Sequence, residues 1–216
     1  MTTKQTYKTG LGTSDADSIT LLGHDLATEI LGKYSFGELS YYLITKRRPT
    51  PGQLVMFEAV LASLADHGFT PTAIAARLTY ASAPDSLQGA LAAGLLGGGS
   101  RFLGVTEDCA HFLARELKEI GDAPTTQDGW DAAALNAVQR QRDIGKFVPG
   151  LGHPVHKQGD PRTPVLIAMA REQGLFGSHL SLFEAIGRVH AQVLGKTLPL
   201  NGAGVCGAVL ADAGIP

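Results

Sequence analysis

The chain has 216 residues, of which 44% are apolar and 18% charged, and its formal net charge is −2. This composition supports a sizeable core in one domain, or in one domain with a subdomain. The near-neutral charge argues against a nucleic-acid-binding protein, which usually carries a basic excess. No apolar run reaches the roughly 18 residues that a membrane span needs, so we expect no membrane association.

The two cysteines, Cys109 and Cys206, form neither a disulfide framework nor a metal-ligand spacing. This usage is typical of proteins from a reducing compartment. The amino-terminal stretch MTTKQTYKTGLG is polar and lacks an apolar signal region, so we expect no signal peptide. Together these features predict a cytoplasmic protein.

Helical periodicity dominates the chain from residue 25 onward. Helix-start signals precede several segments, for example Thr70 before Pro71 and Ser82 before Pro84. Strand signals are sparse because no alternating β-branched run of useful length occurs, and we predict an all-α fold. The predicted helices cover residues 25–33, 36–46, 53–66, 71–80, 84–96, 105–119, 130–145, 163–173, 179–195 and a short segment after residue 201.

Glycine- and proline-rich loops interrupt these helices and are the expected places for a site, since binding groups tend to lie on loops held by a scaffold. The loops cover residues 97–104, 121–129, 145–163 and 199–204. The third contains VPGLGHPVHKQGDPRTPV, which carries five ionisable side chains on a stiff segment. This loop is therefore the first candidate for a functional site.

Two residues of this loop suit catalysis and binding. His153 follows Gly152, whose missing side chain lets the backbone approach a ligand closely. A histidine there can donate or accept a proton near neutral pH. Arg162 has a planar guanidinium that matches a carboxylate. A purely structural interpretation is also open, in which Asp160 only pairs with Arg162 or caps the following helix.

His67 follows Asp66 at the end of the predicted helix 53–66, and a functional role and a helix-capping role are equally open for it. No HExxH pair occurs, so we expect no metal site. Four other histidines are isolated on helical faces or ends and are interpreted as surface or satisfied core residues. They are His24, His111, His179 and His190.

The stretch GLGHPVHKQGDPR resembles the GxGHxVxKxxDPR element of the citrate synthase superfamily. The resemblance covers nearly the whole chain, and its motifs are similar to those of the short citryl-CoA lyase branch and of the lyase module of ATP-citrate lyase. The four further stretches that resemble elements of the family, in chain order, are FGELSYYLITKRRPT, LASLADHGFTPTAIAAR, LLGGGSRFLGVTEDCA and LPLNGAGVCGAVL.

The resemblance implies a mostly helical homodimer whose active site lies in a cleft between a large and a small domain. Residues 1–100 would form the first part of the large domain, 101–200 the small domain, and 201–216 the return to the large domain. The further C-terminal segment of the family is then expected to be missing from this chain. The implied ligands are a coenzyme A thioester and a di- or tricarboxylate.

The resemblance also assigns roles to individual residues. His153 would contact the hydroxyl or carbonyl oxygen at the carbon that is joined or cleaved. His67 and Arg162 would bind substrate carboxylates. The backbone of five residues would lie along the adenine of coenzyme A, namely Val148, Pro149, Gly150, Leu151 and Gly152.

Two positions depart from the family pattern, because a catalytic histidine is replaced by Phe102 and a catalytic aspartate by Ala203. We expect a citryl-CoA lyase-like enzyme that cleaves or forms a carbon–carbon bond between an acyl-CoA and a 2-oxo acid such as oxaloacetate. The proton on the α-carbon would then come from water, Asp66 or Cys206. The alternative is a catalytically impaired member that binds coenzyme A or a carboxylate.

Overall fold

The computed structural model describes residues 9–66 and 68–216. A three-stranded antiparallel sheet precedes the helices, with strands β1 (Gly12–Ser14), β2 (Ile19–Leu21) and β3 (His24–Asp25) in that order. A π-helical segment, Leu26–Ile30, follows directly. The sequence pattern predicts a helix over 25–33 and no sheet, because strands of two or three residues are too short to show an alternating pattern.

Helices dominate the rest of the described chain, and the predicted, mostly helical fold is confirmed. The α-helices are α1 (Phe36–Thr45), α2 (Pro51–Ser63), α3 (Pro71–Ser82), α4 (Leu87–Leu96), α5 (Val105–Ile120), α6 (Gln127–Asp143), α7 (Arg162–Glu172), α8 (Ser178–Leu194) and α9 (Gly202–Asp212).

Several helix starts follow from local capping chemistry, and one predicted start is wrong. Thr70 caps α3 ahead of a proline, as the sequence indicates. Thr50 caps α2 through a capping box, so this helix begins at Pro51, two residues before the predicted start. The predicted start at Ser82 is wrong, because α3 continues through that residue and α4 begins at Leu87. Pro84 keeps Ala83 out of the helical region (φ −134°, ψ 73°), so a turn has to separate the two helices.

The hydrophobic core surrounds α8, which packs along α6 and also contacts α5 and α9. Helix α9 is almost wholly buried and consists mainly of small residues, so it can lie close to α5. The end of α9 is tied to the first helices: the Tyr41 hydroxyl donates to the Ala213 carbonyl at 2.6 Å, and the Gln53 amide donates to the same oxygen at 2.8 Å. The start of α9 therefore sits at a fixed position inside the molecule.

Across residues 9–66 and 68–216, no helix has both the length and the apolar character that crossing a membrane requires.

Candidate active site

The loop between α6 and α7 and the loop before α9 are joined by backbone hydrogen bonds. The Gly152 amide donates to the Pro199 carbonyl at 2.7 Å, and the Asn201 amide donates to the Gly150 carbonyl at 2.9 Å. Gly150 adopts a φ of +86°, and a side chain there would collide with Phe183. These contacts bring the His153 segment against the start of α9.

His153 is held in one ring orientation. Its Nδ1 accepts hydrogen bonds from the backbone amides of Val155 (3.0 Å) and His156 (2.9 Å). Backbone amides can only donate, so Nδ1 carries no proton, and the neutral ring carries its proton on Nε2. That nitrogen lies 3.9 Å from Oδ2 of Asp160, and the side chain is 9% exposed. The ring is thus arranged to offer an N–H donor from Nε2.

Asp160 connects the start of α7 to the start of α9. Its Oδ1 accepts from the backbone amide (3.1 Å) and Nε (3.0 Å) of Arg162, and its Oδ2 accepts from Nη2 of Arg162 (2.8 Å) and from the Gly202 amide (2.7 Å). Burial alone would raise the pKa of this carboxyl. The hydrogen bonds and charge of Arg162, together with the Gly202 amide, outweigh burial and hold the pKa well below its usual range.

The pairing of Asp160 with Arg162 that the sequence left open is therefore present, and it raises the pKa of the guanidinium. The guanidinium also donates from Nη1 to the Ser63 carbonyl at 3.2 Å. It has five N–H donors, so one on each terminal nitrogen is left for another acceptor. Gly202 makes room for it, because a side chain there would overlap the guanidinium. Arg162 can pair with Asp160 and still bind a ligand.

His153 and Arg162 line two adjoining cavities. The first, of about 150 Å³, is also lined by Arg101, Phe102 and Ala203. The second, of about 320 Å³, is also lined by Ser63 and Asp66. The two positions that depart from the family pattern therefore lie in the same cavity as the predicted catalytic histidine.

Among the described residues, no carboxylate lines the 150 Å³ cavity. Asp66 lies on the neighbouring one. Cys206 is fully buried beside the Ser63 hydroxyl (3.3 Å), and burial raises the pKa of its thiol. Neither of the two side chains named as proton donors for the α-carbon lies in the cavity that contains Ala203.

The predicted coenzyme A segment, residues 148–152, borders a third cavity of about 510 Å³. Its backbone is half-buried or buried, and Val148, Leu151 and Gly152 line this cavity. Three cationic side chains line the same space, namely Arg142, Lys146 and Lys196. These cations are not among the predicted site residues, although the basic run QRQRDIGK leads into the loop.

The remaining histidines divide as follows. His67 lies outside the described residues, so its predicted carboxylate-binding role stays a prediction. His190 is a satisfied core residue: its Nδ1 donates to the Ile186 carbonyl (2.9 Å), and its Nε2 accepts from the Leu198 amide (2.8 Å). His179 contacts Asp212, and His24 contacts Glu29. In the described part of the chain, no three histidine, cysteine or acidic side chains are grouped to hold a metal ion.

Known structures give an independent comparison. The chain is similar to a citryl-CoA lyase from Hydrogenobacter thermophilus, with 30% identity and a TM-score of 0.83 over 97% of this chain and 77% of that chain. It is similar to an ATP citrate lyase from Methanothrix soehngenii in complex with citrate and coenzyme A, with 23% identity and a TM-score of 0.78. That match covers 99% of this chain and 33% of the other.

A citrate synthase from Thermoplasma acidophilum, in a ternary complex with carboxymethyl coenzyme A and oxaloacetate, matches at 20% identity and a TM-score of 0.60. This match covers 84% of the present chain and 46% of the other, and it supports the fold alone. A sequence comparison with curated proteins finds no match. The family model described as citrate synthase, C-terminal domain, matches residues 13–216. The chain therefore belongs to the citrate synthase family.

Proposed function

We propose that this protein is a citryl-CoA lyase-type enzyme that cleaves citryl-CoA to acetyl-CoA and oxaloacetate, or catalyses the reverse reaction. The observation that carries the proposal is the arrangement of one cavity, in which two backbone amides orient the His153 ring and Asp160 holds the Arg162 guanidinium. The N–H donor of His153 suits the hydroxyl oxygen of a 3-hydroxy acid, and Arg162 suits one of its carboxylates. Together the two groups would hold the reacting carbon in place.

The relatives support the same ligand class. One is a citryl-CoA lyase, and an ATP citrate lyase holds citrate and coenzyme A. An aspartate-to-alanine variant of an ATP citrate lyase from Methanosaeta concilii holds (3S)-citryl-CoA. We therefore take a coenzyme A thioester and a di- or tricarboxylate as the ligands of this chain.

In the cleavage direction, the hydroxyl of citryl-CoA loses its proton to solvent and its oxygen becomes the ketone oxygen of oxaloacetate. The electron pair of the broken carbon–carbon bond passes into the thioester enolate, and water protonates the α-carbon to give acetyl-CoA. The Nε2–H group of His153 donates to the oxygen as negative charge builds up on it. Arg162 holds a carboxylate, and His67 is proposed to hold a second one.

Coenzyme A is proposed to bind along residues 148–152 and in the 510 Å³ cavity. The three cations there suit the phosphate groups of coenzyme A. Phe147 is 95% exposed beside them and offers an aromatic face to the adenine. Both features lie next to the loop that carries His153, so the thioester end would be directed toward the smaller cavity.

The proposal is tested by measuring coenzyme A release and oxaloacetate formation from citryl-CoA. We expect His153→Ala to lower kcat about 10²–10³-fold, as the loss of one donor to a developing oxyanion typically does. His111→Ala, which changes an exposed histidine of α5, is the matched control and should leave kcat unchanged. Equal rates for wild type and His153→Ala would remove His153 from the mechanism.

The second candidate is a non-catalytic protein that binds coenzyme A or a carboxylate. It is favoured by the cavity around Ala203, which no carboxylate lines within the described residues. Calorimetric titrations with acetyl-CoA and with citrate, beside turnover assays, separate the two candidates. Tight binding without turnover would support this second candidate, and a large gain in citrate synthesis by Ala203→Asp would show that only the proton-transfer group has been lost.

We also propose that the protein is a homodimer, as the family resemblance implies. Helices α3 and α4 pack against each other and present two exposed apolar stripes spaced at four residues, which suit contact with a second copy. The stripes contain Ile74 and Leu78 on α3 and Leu87, Leu91 and Leu95 on α4. The division into a large and a small domain at residues 100 and 200 is proposed on the same basis, and a cytoplasmic location is proposed from the cysteine usage.

A further inference from the structure

A rigid turn before α5 presents Arg101 to the 150 Å³ cavity. Gly99 and Phe102 exchange backbone hydrogen bonds of 2.8 and 2.9 Å, so Arg101 lies in the turn that they close. Gly104 also donates to the Gly99 carbonyl at 2.9 Å. Leu103 has a φ of +72°, a left-handed conformation that non-glycine residues rarely adopt and that often occurs at functional sites. The backbone thus fixes the position from which the Arg101 side chain starts.

The two arginines that line this cavity differ in whether a carboxylate compensates their charge. The charge of Arg162 is compensated by the Asp160 carboxylate, with two guanidinium–carboxylate hydrogen bonds. Nδ1 of His153 accepts hydrogen bonds from two backbone amides, so this nitrogen carries no proton and the ring is neutral. Arg101 lines the cavity and makes no hydrogen bond or ion pair with any residue in the described ranges. It therefore supplies the uncompensated positive charge among the described residues of this wall.

We infer that Arg101 is a specificity-determining residue that binds the second carboxylate of the acid together with the proposed His67, while Arg162 binds the first. This inference rests on the proposed function. Because a monocarboxylate needs only one of the two cations, Arg101 would make the site select a dicarboxylic 2-oxo acid over a monocarboxylic one. A phosphate of coenzyme A is the other anion that could reach it, and the experiment below separates the two.

The test compares binding of oxaloacetate and pyruvate, two 2-oxo acids that differ by one carboxylate, to wild type and to Arg101→Gln by calorimetry. We expect Arg101→Gln to weaken oxaloacetate about 10- to 100-fold, the effect of losing a charged hydrogen bond, and to leave pyruvate within about two-fold. Arg101→Lys keeps the charge and should recover part of the loss. Arg171→Gln, which removes a surface ion pair of α7, is the matched control and should bind as wild type does.

Each outcome has a defined meaning, provided that circular dichroism shows the same fold for every variant. Unchanged oxaloacetate affinity in Arg101→Gln, with binding intact in wild type, would overturn the role of Arg101 and leave the proposed function standing. A loss of coenzyme A affinity instead of oxaloacetate affinity would reassign the residue to a phosphate and overturn the inference. Binding of neither oxaloacetate nor coenzyme A by wild type would overturn the proposed function itself.

Discussion

Four hydrogen bonds converge on the buried carboxylate of Asp160, and they join the start of α7 to the start of α9. Arg162 donates three of them and the Gly202 amide the fourth, while His153 Nε2 lies 3.9 Å away. Because both oxygens of the carboxylate accept hydrogen bonds from the protein, Asp160 orients its neighbours and does not itself bind ligand. We therefore regard it as a positioning residue. Its replacement should disturb both the guanidinium and the start of α9.

Asp160→Asn is expected to lower the free energy of unfolding by about 1.5–3 kcal/mol near neutral pH, the usual value of a hydrogen bond to a charged group. Urea denaturation measures this change. The control is Asp131→Asn, which breaks an ion pair with Arg188 that is partly exposed and should cost less than about 1 kcal/mol. A loss no larger than that of the control would contradict the positioning role.

The same carboxyl predicts a pH dependence. Its pKa is lower in the folded state than in the unfolded state, so its stabilising effect is fully present above the unfolded value, about 3.9. The effect is lost as the pH falls toward the folded pKa. We therefore expect the difference in unfolding free energy between wild type and Asp160→Asn to be constant from about pH 5 to 7 and to shrink below about pH 4. A difference that grew as the pH fell would contradict this assignment.

At the scale of the elements, α9 depends on close backbone contacts made by its glycines. Gly204 packs on Gly150 and Phe183, and Gly207 packs on the Thr106 carbonyl of α5. Ala203 lies in the first turn of α9 and lines the 150 Å³ cavity. The distance between α9 and its neighbouring helices therefore determines the shape of this cavity. A side chain on its contact face should move the helix and the site together.

Gly207→Ala is expected to destabilise the fold by about 1–3 kcal/mol, because its added carbon would overlap a backbone oxygen that cannot rotate away. Thermal unfolding measures the effect. Gly89→Ala in α4 is the matched control, since its nearest neighbour is the Ser86 hydroxyl at 2.7 Å, which can rotate. That variant should be neutral or more stable by up to about 1 kcal/mol, because alanine favours a helix over glycine. Equal losses in both variants would contradict the account of α9 packing.

At the scale of the whole molecule, the exposed apolar stripes of α3 and α4 contrast with a core that is built around α8. Large exposed apolar patches commonly mark interaction sites. The proposed homodimer would cover them, and it would do so on helices that precede the turn with Arg101. The proposed dimer interface and the turn that contributes Arg101 to the acid-binding cavity are therefore adjacent along the chain.

Light scattering coupled to size exclusion is expected to give a dimeric mass for wild type and a monomeric mass for the double variant Leu78→Asp, Leu91→Asp. Two charges in an apolar interface would be buried without partners, which strongly disfavours association. Leu11→Asp, an exposed apolar residue next to β1, is the control and should stay dimeric. A monomeric wild type would rule out the dimer.

The sequence by itself determined the helical fold, most helix positions and the family, because caps, prolines and apolar spacing act over a few residues and the motifs are contiguous. It also singled out His153 and Arg162 from one stiff loop. Only the tertiary structure decided which nitrogen of His153 carries the proton, that Asp160 joins Arg162 to Gly202, and that Arg101 lines the same cavity as His153 and Arg162. The last two relations join residues about 40 to 60 positions apart, and the packing of α9 against α5 and α8 brings them together, which no local pattern encodes.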